Sequence, residues 1–90
     1  MITKGGLNAA VRSLASEYAK EYIRFNAVAP GIVDTPLHSD LSEQVVHKQS
    51  PMGRASTIDD IADAVVYLTE ARQVTGEVLH VDGGAHSGKW

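Results

Sequence analysis

The sequence predicts an α/β fold with parallel strands, and three observations predict it. An amphipathic helix pattern opens the chain, two short apolar runs each end at a glycine-containing turn, and a second amphipathic helix pattern lies between those runs. The order is helix, strand, helical insert, helix, strand. A strand, a crossover helix and a second strand of one sheet connect right-handedly and run parallel, and parallel strands are normally buried on both faces. Two such strands alone leave an unpaired edge, so the elements read as part of a larger α/β sheet.

The first helix follows from Leu7, Ala10, Val11, Leu14, Ala15 and Tyr18, spaced by threes and fours, with Asn8, Arg12, Ser16 and Glu17 on the other faces. Ile23 to Ala29 carries Phe25, Ala27 and Val28 and stops at Pro30-Gly31, where proline removes a ladder donor and glycine permits a tight turn; the run reads as a strand. Between Thr35 and Pro51, Leu37, Leu41 and Val45 recur every four residues, which predicts a short helix beginning near Ser39 inside a loop. Thr57 caps the next helix, Asp59 and Asp60 suit the positive end of its dipole, and Ile58, Ile61, Ala62, Val65 and Leu68 form its stripe up to an end near Ala71. Ala64, Val66 and Tyr67 make its other faces apolar too, which predicts burial on two sides or contact with another subunit. Gly76 opens a last strand, Glu77 to Val81, closed by Asp82-Gly83-Gly84 ahead of a polar tail ending in Trp90.

Composition narrows the function classes. The chain has 90 residues, 43% apolar and 21% charged, which bounds it at one small domain. With a net charge of −3 and eight basic residues spread along the chain, no positive stripe exists for nucleic acid or anionic lipid. No window approaches the roughly 20 apolar residues that span a bilayer, and no basic stretch precedes a long apolar run, so neither membrane span nor signal peptide is expected. The lack of cysteine excludes disulfides and suits the cytoplasm. His38, His47, His80 and His86 lack paired metal-ligand spacing, and no metal site is expected. Gly83 to Lys89 fits seven positions of a phosphate-binding P-loop pattern, but Trp90 stands where Ser or Thr belongs and no helix follows; the match is a coincidence.

Four stretches, taken together, say more. Thr3-Lys4-Gly5-Gly6-Leu7-Asn8, Arg24-Phe25-Asn26-Ala27-Val28-Ala29-Pro30-Gly31-Ile32-Val33-Asp34-Thr35-Pro36, Pro51-Met52-Gly53-Arg54 and Val74-Thr75-Gly76-Glu77-Val78-Leu79-His80-Val81-Asp82-Gly83-Gly84 follow one another along the chain. In content, order and spacing this series resembles the C-terminal segment of the short-chain dehydrogenase/reductase family. The resemblance covers nearly the whole chain and implies the C-terminal part of a Rossmann-like doubly wound parallel sheet. It divides the sequence into an active-site helix (1–22), a strand and cofactor loop (23–36), a substrate loop (37–56), the last helix and strand (57–84) and a tail (85–90).

What the resemblance implies for chemistry is specific. The family's general acid/base is a tyrosine four residues before a lysine; counting back from Lys4 puts it one position ahead of Met1. Residues four apart share a helix face, where an ammonium stabilises phenolate and lowers a pKa of about 10. Tyr18, Tyr22 and Tyr67 do not substitute, because Tyr22, Asn26 and Ala71 stand four positions after them. Lys4 is thus implied as the catalytic lysine and as a ligand of the nicotinamide ribose. Pro30, Gly31, Ile32 and Thr35 are implied as cofactor-binding: Ile32 through its backbone to the carboxamide, Thr35 to the carboxamide or pyrophosphate, and Pro30 and Gly31 as a wall. The cofactor implied is NAD or NADP, the substrate a small alcohol or carbonyl compound, and the assembly a homo-oligomer.

The residues also bear plainer readings. Without its tyrosine Lys4 is a solvated helix-start lysine, Pro30-Gly31 is a strand-ending turn, and Leu37 to Gln49 is a solvated linker helix. The glycine-rich turn that receives a pyrophosphate at a helix N-terminus does not occur in these 90 residues. The 90 residues by themselves are therefore expected to lack dehydrogenase turnover. Two further expectations follow: a non-catalytic module that self-associates or docks onto a partner, and a longer polypeptide in which Met1 is internal.

Overall fold

Two short parallel strands, β1 (Ala27–Pro30) and β2 (Val78–Val81), form the centre of the chain, pairing Ala27 with Val78, Val28 with Leu79, Ala29 with His80 and Pro30 with Val81. They belong to a computed structural model that describes residues 4–34 and 43–88. Around them lie α1 (Lys4–Tyr18), α2 (Glu43–Gln49) and α3 (Ile58–Glu70). The α/β order and the parallel pairing are those predicted from the sequence. α3 packs against both strands, as the crossover helix must.

Pro30 sits inside β1 rather than beyond it. Ala27 donates its N–H to Glu77 and Gly31 donates to Val81, so the donors aimed at β2 come from alternate residues and the position held by Pro30 faces away. A proline there costs no ladder bond. β1 starts later than the apolar run implied. The Phe25 N–H goes to the Thr75 hydroxyl at 3.1 Å and the Phe25 carbonyl accepts from Gly76, which takes this stretch out of the ladder.

The helices bury a narrower stripe than periodicity suggested. On α1 Val11 and Ala15 are buried, whereas Leu14 remains exposed; on α3 Ala64 and Leu68 are buried, whereas Ile58, Val65, Val66 and Tyr67 are exposed. In both cases the buried pair is one helical turn apart. Ala15 packs on Gly76, where an added Cβ would lie 3.3 Å away and φ is +77°. Tyr18 and Phe25 rings meet at 5.5 Å with a 41° tilt, joining α1 to the approach to β1.

Both ends of α3 are closed by side chains. Thr57 is the predicted cap, in a reciprocal box: its hydroxyl accepts the Asp60 N–H at 3.1 Å and its N–H donates to the Asp60 carboxylate at 2.8 Å. At the other end the Arg24 guanidinium donates to the carbonyls of Leu68 (2.7 Å), Thr69 (2.8 Å), Ala71 (3.0 Å) and Val74 (3.1 Å). Asn26 completes the fastening, donating to Val74 and accepting from Glu77. Carbonyls left over at a helix C-terminus need such partners, and a cation there also suits the dipole.

α2 begins at Glu43; the predicted start near Ser39, like the first part of the substrate loop (37–42), lies outside the described residues. Beyond β1 the chain makes one more parallel bridge, Val33 with Ser56, which brings the segment after α2 alongside the strand end. Among the described residues no helix is long and apolar enough to cross a membrane.

Candidate functional site

The C-terminal ends of β1 and β2 and the beginning of α1 enclose one cavity of about 270 Å³. Leu7 and Asn8 reach it from α1, Pro30, Gly31 and Ile32 from β1 and the residues after it, and Gln49, His80 and Asp82 from α2 and the end of β2. Open α/β sheets receive ligands at this end of their strands. Three of the residues singled out in the sequence, Pro30, Gly31 and Ile32, are thereby brought together. Lys4 opens α1, but its side chain, like Thr35, lies outside what is described.

Gly31 has a reason beyond the turn that Pro-Gly suggests. A Cβ on it would stand 2.7 Å from Asp82 Cβ and 2.9 Å from Asp82 Cα, so only glycine allows the chain leaving β1 to pass the end of β2. The next residue is held on one side only. Its carbonyl accepts the Ser56 N–H at 3.0 Å, while among the described residues no acceptor meets the Ile32 N–H. A donor left open at a strand end, beside a cavity, suits a carboxamide or another planar acceptor. Ser50, 1% exposed, has a hydroxyl with no partner among the described residues and packs against Gly83.

Asp82 is the buried charge of this end, 8% exposed. Its carboxylate accepts the N–H groups of Gly84 (3.0 Å) and His86 (3.1 Å) and contacts His86 Nδ1 at 3.0 and 3.1 Å. Burial pushes this carboxyl upward, but the hydrogen bonds from His86 and Gly84 outweigh it and hold it below the usual carboxylate range. Gly83 and Gly84, with φ of +64° and +93°, provide the tight return that places His86 there.

His80 joins the same group. Its Nδ1 is 3.8 Å from Asp82, and its ring stacks on that of His86 at 3.9 Å and 8°. These three side chains border a second cavity of about 380 Å³ together with Arg54, Asp60 and Asp63. The spacing of the histidines alone gave no hint of the cluster. The usable signal was that His80 and Asp82 alternate onto one face of a strand and that a Gly-Gly turn follows, returning the chain over that face.

Comparison with known proteins agrees with the fold. The family pattern described as enoyl-(acyl carrier protein) reductase matches residues 1–86. A bovine (Bos taurus) 3-oxoacyl-[acyl-carrier-protein] reductase is 49% identical over 82 residues, covering 91% of this chain and 35% of the relative. A tropinone reductase homolog of Arabidopsis thaliana is 43% identical, covering 92% and 34%. The chain thus spans about a third of the length of the curated relatives it matches. Among solved structures, ElxO with NADP bound superposes with a TM-score of 0.80 at 31% identity over 94% of this chain and 38% of its own. 4-Hydroxyisoleucine dehydrogenase complexed with NADH gives 0.81 at 28% identity over 96% and 38%.

Proposed function

The chain belongs to the short-chain dehydrogenase/reductase family, and from that premise we propose that it forms the nicotinamide-facing part of an NAD(P)-dependent oxidoreductase acting on a small alcohol or carbonyl compound. One observation carries the reading: Pro30, Gly31 and Ile32 share a cavity with the first turns of the helix that Lys4 opens. The two solved relatives, one holding NADP and the other NADH, support the same cofactor class here.

A nicotinamide ring, when bound, supplies the hydride chemistry. The chain's own residues do the rest. The Ile32 N–H would hold the carboxamide and Pro30 and Gly31 would line its site, with Thr35, outside the described residues, assigned to the carboxamide or pyrophosphate by the family resemblance alone. Lys4 would hold the ribose hydroxyls and, in a polypeptide that carries the family's tyrosine four positions before it, would keep that phenol acidic enough to exchange a proton with the substrate oxygen. A cysteine-free chain of this class suits the cytoplasm.

The test uses the full polypeptide, following NAD(P)H consumption against a panel of carbonyl compounds. Lys4→Met lowers kcat/KM by about 100-fold or more, the usual scale of general acid/base assistance; unchanged turnover in that variant overturns the reading. The 90 residues alone, without the phenol and the glycine-rich turn, give no turnover, and turnover by them that disappears in Lys4→Ala contradicts this.

A second reading, self-association, is favoured by the exposed apolar face of α3, where Ile58, Val65, Val66 and Tyr67 are 49–56% exposed. Sedimentation at micromolar concentration separates the outcomes: a dimer or tetramer supports it, and a monomer throughout counts against it.

A further inference from the structure

We propose that His80, Asp82 and His86 form a binding site for a borderline divalent transition-metal ion such as zinc, at the mouth of the cavity they share with Asp60 and Asp63. Each residue offers one ligand atom, and these atoms all lie within 4.8 Å of one another. Two imidazoles and one carboxylate are a donor set that zinc takes, with the fourth place of a tetrahedron left to water. The second cavity, about 380 Å³, lies against the three ligands and has room for that water. The proposal is independent of the nicotinamide reading.

Three features argue for a built site rather than an accident of surface histidines. First, Asp82 is buried and its carboxylate is fixed by the N–H groups of Gly84 and His86, the outer bracing that keeps a metal-binding carboxylate in place. Second, His80 and Asp82 alternate along β2 and its end and so project to one face, while the positive φ of Gly83 and Gly84 folds His86 back over them. Third, the local charge favours a cation. Asp60 and Asp63 border the same cavity, and Arg54 is its one lining guanidinium.

The cluster needs a small adjustment to close. An ion about 2.0–2.2 Å from nitrogen and oxygen ligands in a tetrahedron requires those atoms roughly 3.3–3.5 Å apart, so a pair at the 4.8 Å limit has to close by roughly 1.5 Å. His86 is the side chain that can move. It lies on the single turn Ala85–Ser87 and is 39% exposed, whereas His80 is held in a paired strand. Rotation of the His86 ring breaks the stacked arrangement and its Nδ1 bond to Asp82, and binding releases the Nδ1 proton to solvent so that this nitrogen can face a point shared with His80. The ion then ties the turn after β2 to the strand itself, beside Gly31 and the first cavity.

The test is equilibrium binding of Zn²⁺ to the full polypeptide, read by a competing chromophoric chelator, with Co²⁺ as a spectroscopic probe of coordination. One ion binds per chain, Co²⁺ gives the visible absorption of a four-coordinate site, and His86→Ala weakens binding by about tenfold or more. His80→Ala does the same, and His47→Ala, on α2, leaves the affinity unchanged. The exposure of His86 keeps its variant readable even if His80→Ala disturbs the strand. Absence of saturable binding overturns the proposal, as does a zinc affinity that survives both His86→Ala and His80→Ala.

Discussion

The two ends of the β1–β2 pair differ in how completely their polar groups are used. At the N-terminal end Arg24 donates to four carbonyls, Asn26 donates and accepts, and Phe25 uses both backbone groups. At the C-terminal end the Ile32 N–H and the Ser50 hydroxyl have no partner among the described residues, and two histidines gather on one carboxylate. Buried polar groups are normally satisfied, so a saturated end reads as a fastening and an open end as a place for something else to bind. On the reading proposed above, one end serves stability and the other chemistry.

The largest effect is expected where the fastening is densest. Arg24→Met strands several carbonyls at the end of α3 and destabilises the full polypeptide by about 3 kcal/mol, since bonds to a charged donor are worth more than neutral ones; a urea unfolding midpoint measures it. Cofactor affinity in this variant stays near wild type. Gly31→Ala should reverse that pattern. Its Cβ meets the Asp82 backbone at 2.9 Å, which costs about 2 kcal/mol of overpacking, and the displaced strand end raises the KM for NAD(P)H more than Arg24→Met does. Equal effects of the two substitutions on KM would dissolve the distinction between the ends.

Smaller effects lie at the start of α3, beside the C-terminal end of the strands. Thr57→Ala removes the capping hydroxyl and costs about 1 kcal/mol. The smallest is pH-dependent. The Thr57 N–H, followed by the Thr57 hydroxyl, holds the Asp60 carboxyl below its ordinary value. A carboxylate with a depressed folded pKa stabilises fully above its unfolded pKa and loses that contribution as pH falls through the folded one. The stability gap between wild type and Asp60→Asn therefore closes as pH drops from about 4 downward, and a gap that persists at low pH would show that Asp60 acts through packing instead of charge.

Much of this was legible in the sequence because it is local. The Thr57 cap, the presence of both long helices and the turn after Val81 depend on neighbours within a few residues, and they appear where expected, although the buried stripe of each helix is narrower than its apolar spacing implied. What was not legible depends on contacts across the fold. The role of Arg24 is invisible until α3 is seen to end beside it, a separation of more than 40 residues. Pro30 reads as a terminator until the ladder shows which donors face β2. Gly31 reads as a turn residue until Asp82 passes beneath it, and His86 reads as tail until two positive-φ glycines return it to the strand. The candidate site divides the same way: Pro30, Gly31 and Ile32 could be named from their motif, whereas their shared cavity with Leu7 and Asn8 comes from packing.

The most direct measurement of the central claim is a map of backbone amide shifts in the full polypeptide, titrated with reduced nicotinamide dinucleotide, NADH and NADPH in turn. Binding at the C-terminal ends of the strands predicts saturable shifts at Gly31 and Ile32, with Arg24 and Asn26 left unchanged. Shifts centred on Arg24 and Asn26, or none at Gly31 and Ile32 under conditions where the cofactor binds, would contradict it.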